Sequence, residues 1–190
     1  APSLRHRIEN GVIRAVISGL HLLPYPRRVA FGGWLVSRVV APLAGYNARI
    51  RANLDLVMPE LSPAEKKRLV RRVPDNIGRA LTELYSPAGF VPRARSAPVS
   101  GPGWDALQAA REVGRPAILV SGHLGNYDVV RAGLVHAGIP VGGLYRPMNN
   151  RLFNDHYVQA MTEIGTPLFA RGRSGMGQMI RFLKSGGNLA

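Results

Sequence analysis

The 190-residue chain has no cysteine, which excludes disulfides and cysteine-ligated metals and fits a reducing compartment. Acidic residues are scarce, 11 against 25 basic ones, for a formal net charge of +14. Lysine is scarcer still, with only Lys66, Lys67 and Lys184, so the positive charge is carried almost wholly by 22 arginines. Arginine presents a planar fork that grips phosphate and carboxylate with two bonds at once. A polyanionic partner accounts for that excess, and so does a solvated, arginine-rich surface. Aromatic residues make up 7% of the chain, too few to favour binding by stacking on nucleic-acid bases.

The chain also lacks the run of ~20 apolar residues that a membrane-crossing helix needs. Gly11 to Leu23 comes near but is short and carries Arg14. Val29 to Tyr46 is interrupted by Gly32, Gly33, Arg38 and Pro42. Both stretches are framed by arginines, Arg5, Arg7, Arg27, Arg28, Arg49 and Arg51. Apolar segments with basic flanks suit helices lying in a headgroup layer, and two ordinary buried helices of a globular domain read the same way. No small-residue cleavage site follows the first apolar run, so a secretory signal is not expected. Internal repeats and low-complexity tracts are missing. No histidine spacing supports zinc, and Gly172 to Gly177 fits neither the dinucleotide nor the P-loop pattern. No metal and no cofactor are therefore expected.

What is present is enough apolar material, 46% of residues, for one domain with a real core. Residues 1–85 read as helical. Ser62-Pro63-Ala64-Glu65 is a capping box with proline at the first helical position; the helix it starts should run to about Tyr85, with Pro74 kinking or breaking it. Residues 86–102, rich in proline and small residues, read as a linker. Residues 103–190 alternate. A helix over Trp104–Val113 precedes a short apolar run, Pro116 to Ser121, suited to a buried parallel strand. A helix over Asn126–Ala137, a strand over Pro140–Tyr145, a helix over Asn150–Ile164, a strand over Thr166–Ala170 and a helix over Gly175–Lys184 follow. This order predicts an α/β fold, a parallel-rich sheet with crossover helices behind a helical, membrane-facing amino-terminal part. Asn188-Leu189-Ala190 reads as the opening of a further strand, so the expectation is a single domain, 1–190, whose carboxyl-terminal portion is missing, with an apolar groove near the third strand and Ala190.

In parallel sheets, sites form at the carboxyl ends of strands. Gly122-His123-Leu124-Gly125-Asn126-Tyr127-Asp128 stands at such an end and leads into a helix. Asp128 falls near that helix's first turn, where a carboxylate is favoured. From there it can accept a bond from one ring nitrogen of His123, leaving the other nitrogen to act as a base. Five histidines and eleven acids give roughly 0.3 chance occurrences of this spacing, so spacing alone decides nothing; the place between strand and helix, among glycines, is what counts. A capping or packing role for His123 competes with the catalytic one. Arg146, at the end of the second strand and expected beside the first, can grip a phosphate or form a surface ion pair. Arg171 and Arg173 flank Gly172 where an anion could dock on a helix start. His136 and His156, inside predicted helices, read as structural.

The window from Gly122 to Asp128 resembles the His-x4-acid motif of the bacterial lipid A biosynthesis acyltransferases, the lauroyl/myristoyl type within the lysophospholipid acyltransferase-like superfamily. Leu144-Tyr145-Arg146-Pro147 is similar to that family's Tyr-Arg-Pro segment. Asn53-Leu54 and Met58-Pro59-Glu60-Leu61-Ser62 resemble its amino-terminal stretch. The likeness covers about Asn10 to Ala190. It implies an enzyme that moves a fatty acyl chain from an acyl carrier protein thioester to a hydroxyl of a lipid A precursor, a glycolipid acceptor. His123 is then the general base and Asp128 its orienting acid, and no acyl-enzyme forms. Backbone N–H groups near Gly125 and Asn126 would serve the oxyanion. The implied location is the cytoplasmic face of the bacterial inner membrane, on an anionic surface. The mycobacterial phosphatidylinositol mannoside acyltransferases are similar and give an alternative acceptor. A non-catalytic basic protein binding anionic lipid or nucleic acid is the alternative of another class; it explains the charge but not the Gly-His-x-Gly-Asn-x-Asp window.

Overall fold

A computed structural model describes residues 3–122 and 125–190. They divide into two compact units, Arg14–Ser86 and a second made of Ala1–Ile13 with Pro87–Ala190. Helix α1 (Leu4–His21) begins in the second unit and ends in the first.

The 14–86 unit continues with α2 (Tyr25–Leu35), a π-helical turn (Val36–Val40), α3 (Ala41–Leu43), α4 (Tyr46–Val57) and α5 (Pro63–Leu84). The capping box forms as the sequence predicts. Ser62 Oγ accepts the Glu65 N–H at 3.4 Å, and Glu65 Oε2 accepts the Ser62 N–H at 2.9 Å. The Ser62 side chain, and then its backbone, hold the Glu65 carboxyl below its ordinary value against a small opposing effect of burial. Pro74 does not break the helix: α5 runs unbroken from Pro63 to Leu84. Pro74 lacks the N–H that would bond the fourth residue back, and tertiary packing outweighs that loss. Val70, Pro74, Gly78 and Thr82, four apart, are all buried and form one stripe. The stripe faces α2, where the backbones come close. A Cβ on Gly78 would lie 2.5 Å from the Gly32 carbonyl oxygen and 2.8 Å from Val36 Cβ. Ser37, in the π-helical turn, is buried and donates to the Arg71 carbonyl at 2.8 Å.

Among the described residues no single helix is long and apolar enough to cross a membrane. Tyr25–Leu43 and Tyr46–Val57 reach that length and composition only as a pair, bent by 90°.

The second unit is α/β. It holds α6 (Pro87–Ser96), α7 (Pro102–Glu112), α8 (Asp128–His136), β1 (Val141–Tyr145), α9 (Arg151–Ile164), β2 (Leu168–Ala170), α10 (Arg173–Lys184) and β3 (Asn188–Leu189). The expected linker over 86–102 is mostly a helix. Phe90 and Ala94 of α6, one turn apart, are 2% and 4% exposed, and α6 packs on α8 and α9. Pro87 stands at the first helical position, where a missing N–H costs nothing, and burial of this face overrides Pro92 within the helix. Only residues 97–101 remain as a loop before α7.

The sheet is parallel with order β2-β1-β3. Gly143 pairs with Leu168 and Tyr145 with Ala170; Val141 pairs with Asn188 and Gly142 with Leu189. The expected first strand, Pro116 to Ser121, is reduced to one bridge, Ile118 to Leu189. Two backbone bonds frame it, Leu119 N–H to the Leu189 carbonyl at 2.7 Å and Leu189 N–H to the Ala117 carbonyl at 3.0 Å. Nor is the segment buried on both faces, since Ile118 is 64% and Val120 93% exposed. Its neighbour is β3, not β1. The carboxyl-terminal residues insert between the two, so the second predicted strand does not lie beside the first. A core cluster is built by Leu107 of α7, Leu134 of α8, Ile139 just before β1 and Val141 at its start, with Trp104, Ala117, Leu119 and Val135 packed against it.

Candidate active site

The carboxyl ends of the strands open onto a cleft of about 770 Å³ in the α/β unit. Leu119, Val120 and Ser121 line one side, Tyr127, Asp128, Val130 and Arg131 come from the start of α8, Leu144 to Asn149 extend from β1, and Tyr157 and Met161 come from α9. Leu168 and Ala190 also line it, in the neighbourhood where the sequence predicts an apolar groove. His123 and Leu124 lie outside the described residues.

Asp128 is the first residue of α8, and its side chain is 15% exposed. Its N–H donates to Asn126 Oδ1 at 3.1 Å, so the Asn126 side chain satisfies one of the donors that a helix start leaves open. Gly125, two residues before Tyr127, has a left-handed φ of 61°, which a side chain would resist. The described partner of the Asp128 carboxylate is Arg131, one turn on: Arg131 Nε and Nη2 donate to Oδ1 at 3.2 and 3.1 Å. Sequence reasoning missed Arg131. The signal was a lone cation in the apolar run Val129 to Leu134, three residues after an acid and so on the same helical face.

Tyr127 and Tyr157 are further residues that the motif did not reveal. Burial raises the Tyr127 hydroxyl above its ordinary value, the Asp128 charge adds to this, and Arg131 opposes it. Burial likewise raises Tyr157, with Tyr127 and Asp128 adding and Arg131 opposing. Both remain neutral hydrogen-bond donors at and well above neutral pH.

The predicted arginines separate. Arg146 is exposed and lines the cleft just past β1. Arg171 and Arg173 are exposed at the end of β2 and the start of α10, outside the cleft lining. The Arg171 N–H nonetheless donates to the Tyr145 carbonyl at 2.7 Å, which holds its backbone beside the residue preceding Arg146. The cleft thus joins a half-buried, paired carboxylate, two neutral phenols, an exposed guanidinium and an apolar wall, and it can take a substrate with an anionic group and an apolar part. Among the described residues no cluster of histidine, aspartate and glutamate could hold a metal ion.

A small parallel sheet thus carries the cleft at the carboxyl ends of its strands. The chain belongs to the bacterial lipid A biosynthesis acyltransferase family, whose match runs over residues 2–189. No curated protein matches the chain. The family makes the chain an acyltransferase, with an acyl donor and a lipid acceptor as its classes of substrate.

Proposed function

We propose that the chain transfers a fatty acyl group from an acyl carrier protein thioester to a hydroxyl of a lipid A precursor. His123 takes the hydroxyl proton as the oxygen attacks the thioester carbonyl. The tetrahedral intermediate collapses, the carbon–sulfur bond breaks, and the leaving thiolate recovers the proton from the imidazolium. Asp128 orients the ring and stabilises its charged form. Both Arg131 bonds fall on Oδ1, and Oδ2 is the oxygen assigned to the imidazole. Backbone N–H groups at Gly125 and Asn126 serve the oxyanion. Arg146, with Arg171 and Arg173 nearby, binds phosphate of the acceptor or donor.

The observation that carries this reading is the lodging of Asp128, the acid of the window that resembles the family's motif, in the wall of the cleft at the strand ends. The site works at the cytoplasmic face of the inner membrane, where the precursor lies. The exposed apolar side chains Phe31, Trp34, Leu43, Leu56 and Val57 of the 14–86 unit support a surface that enters lipid headgroups. The decisive experiment is transfer from acyl carrier protein thioester by purified His123→Ala. Turnover should fall to background with the circular dichroism spectrum unchanged. Retention of most of the turnover removes His123 from the reaction.

A further inference from the structure

Arg131 is nearly cut off from water, with its side chain 7% exposed, and the reaction above gives it no task. Besides its two bonds to Asp128 Oδ1, Nη1 donates to the Gly165 carbonyl at 2.8 Å and Nη2 reaches the Met161 carbonyl at 3.4 Å. These carbonyls belong to the last turn and cap of α9, the negative end of that helix. Gly143 and Gly165 lie beside the Arg131 side chain, close enough that a Cβ on either would be in van der Waals contact with it. A cation serving only to tie α8 to α9 would be satisfied by carbonyls. This one spends its remaining donors on the acid of the motif.

We infer that Arg131 is a positioning residue for acyl transfer, which fixes the Asp128 carboxylate in one orientation and offsets its charge so that the His123–Asp128 pair is ready to act as a base near neutral pH. The inference rests on the assignment of that pair above. Among the described residues Tyr127, on the same stretch, and Tyr157, from α9, both feel the charges of Asp128 and Arg131, and both are neutral. Arg146 shares the cleft from the end of β1. Arg131 is therefore the cation in contact with Asp128 among the described residues. Without it a mostly buried carboxylate keeps its charge uncompensated. Loss of the opposite charge at contact favours the protonated form of the coupled pair, which leaves less of the base free to act.

The test compares Arg131→Met, Arg131→Lys and Asp128→Asn in the full chain, with acyl carrier protein thioester as donor and turnover followed from acid to alkaline pH. Arg131→Met should lower kcat at neutral pH by about tenfold or more, leave KM for the donor unchanged, and move the acid limb up by about one unit or more, with recovery in alkali. Arg131→Lys should keep the limb in place, because the charge remains, at a kcat reduced several-fold, because one ammonium cannot reproduce the fork. An unshifted limb in folded Arg131→Met overturns the inference, since a purely structural role does not move a proton equilibrium. If Arg131→Met does not fold, Arg131→Lys decides: wild-type kcat or a displaced limb overturns it. Wild-type turnover by Asp128→Asn would instead sink the pair assignment and this inference with it. A crippled Asp128→Asn beside an unshifted Arg131→Met sinks this inference alone.

Discussion

Asn188→Ala should loosen the segment that leads to His123 without touching the cleft. Asn188 is 8% exposed, and its side chain bridges the backbone at Ala117 and the backbone just before β1. Oδ1 accepts the Ala117 N–H at 2.9 Å, and Nδ2 donates to the Pro140 carbonyl at 3.1 Å. That carbonyl keeps a partner after truncation, since the backbone N–H of residue 188 donates to it at 3.0 Å. The Ala117 N–H loses the acceptor that Asn188 supplies. Losing one ordinary bond costs about 1 kcal/mol, and leaving a part-buried donor unmet adds about 1–2 kcal/mol. The expected loss is therefore about 2–3 kcal/mol, a sizeable share of the ~5–15 kcal/mol that holds a domain together. Urea denaturation should show a lower midpoint at unchanged slope. Hydrogen exchange should quicken at the amides of Ala117 and Leu119, which pair with Asn188 and Leu189, and acyl transfer should fall because the described segment that precedes His123 is less well held. A midpoint shift worth less than about 0.5 kcal/mol with unaltered exchange at these amides would refute the view that β3 anchors this segment.

Gly78→Ala raises helix propensity yet should destabilise the 14–86 unit by about 1–3 kcal/mol, because the new methyl meets the Gly32 carbonyl and Val36 in an already filled crossing; a raised melting temperature would contradict that packing. The cap of α5 should weaken in acid. Glu65 has a folded value below its ordinary one, so its contribution is present above the ordinary carboxylate range and is lost as pH falls through the folded value. The stability difference between wild type and Glu65→Gln should vanish at acid pH, and a pH-independent difference would show that the charge has no part in the cap. The chain should pellet with anionic vesicles and be released as salt shortens the screening length to below ~10 Å; full solubility beside such vesicles at low salt removes the membrane proposal.

The local code was legible wherever its physics is local. Ser62, Pro63 and Glu65 specify their cap within four residues, and Asp128 to His136 and Arg151 to Ile164 carry helical spacing that needs no partner to be read. The alternation from Pro140 onward located β1, β2 and β3 and made the sheet parallel. Long-range burial decided the rest. Pro87 to Ser96 reads as a loop by its prolines, and only the interior waiting for Phe90 and Ala94 makes it a helix. Pro74 looks like a break until the face it shares with Val70 and Gly78 is buried against α2. The order of strands was beyond the sequence altogether: nothing in Asn188-Leu189 says that it inserts between Ile118 and Val141, because hydrogen-bond partners in a sheet are chosen across the chain. The site divides in the same way. The motif named Asp128 by its spacing, but that its carboxylate is held by Arg131, and Arg131 by the end of α9, follows from packing that brings Met161 and Gly165 to a helix some thirty residues earlier.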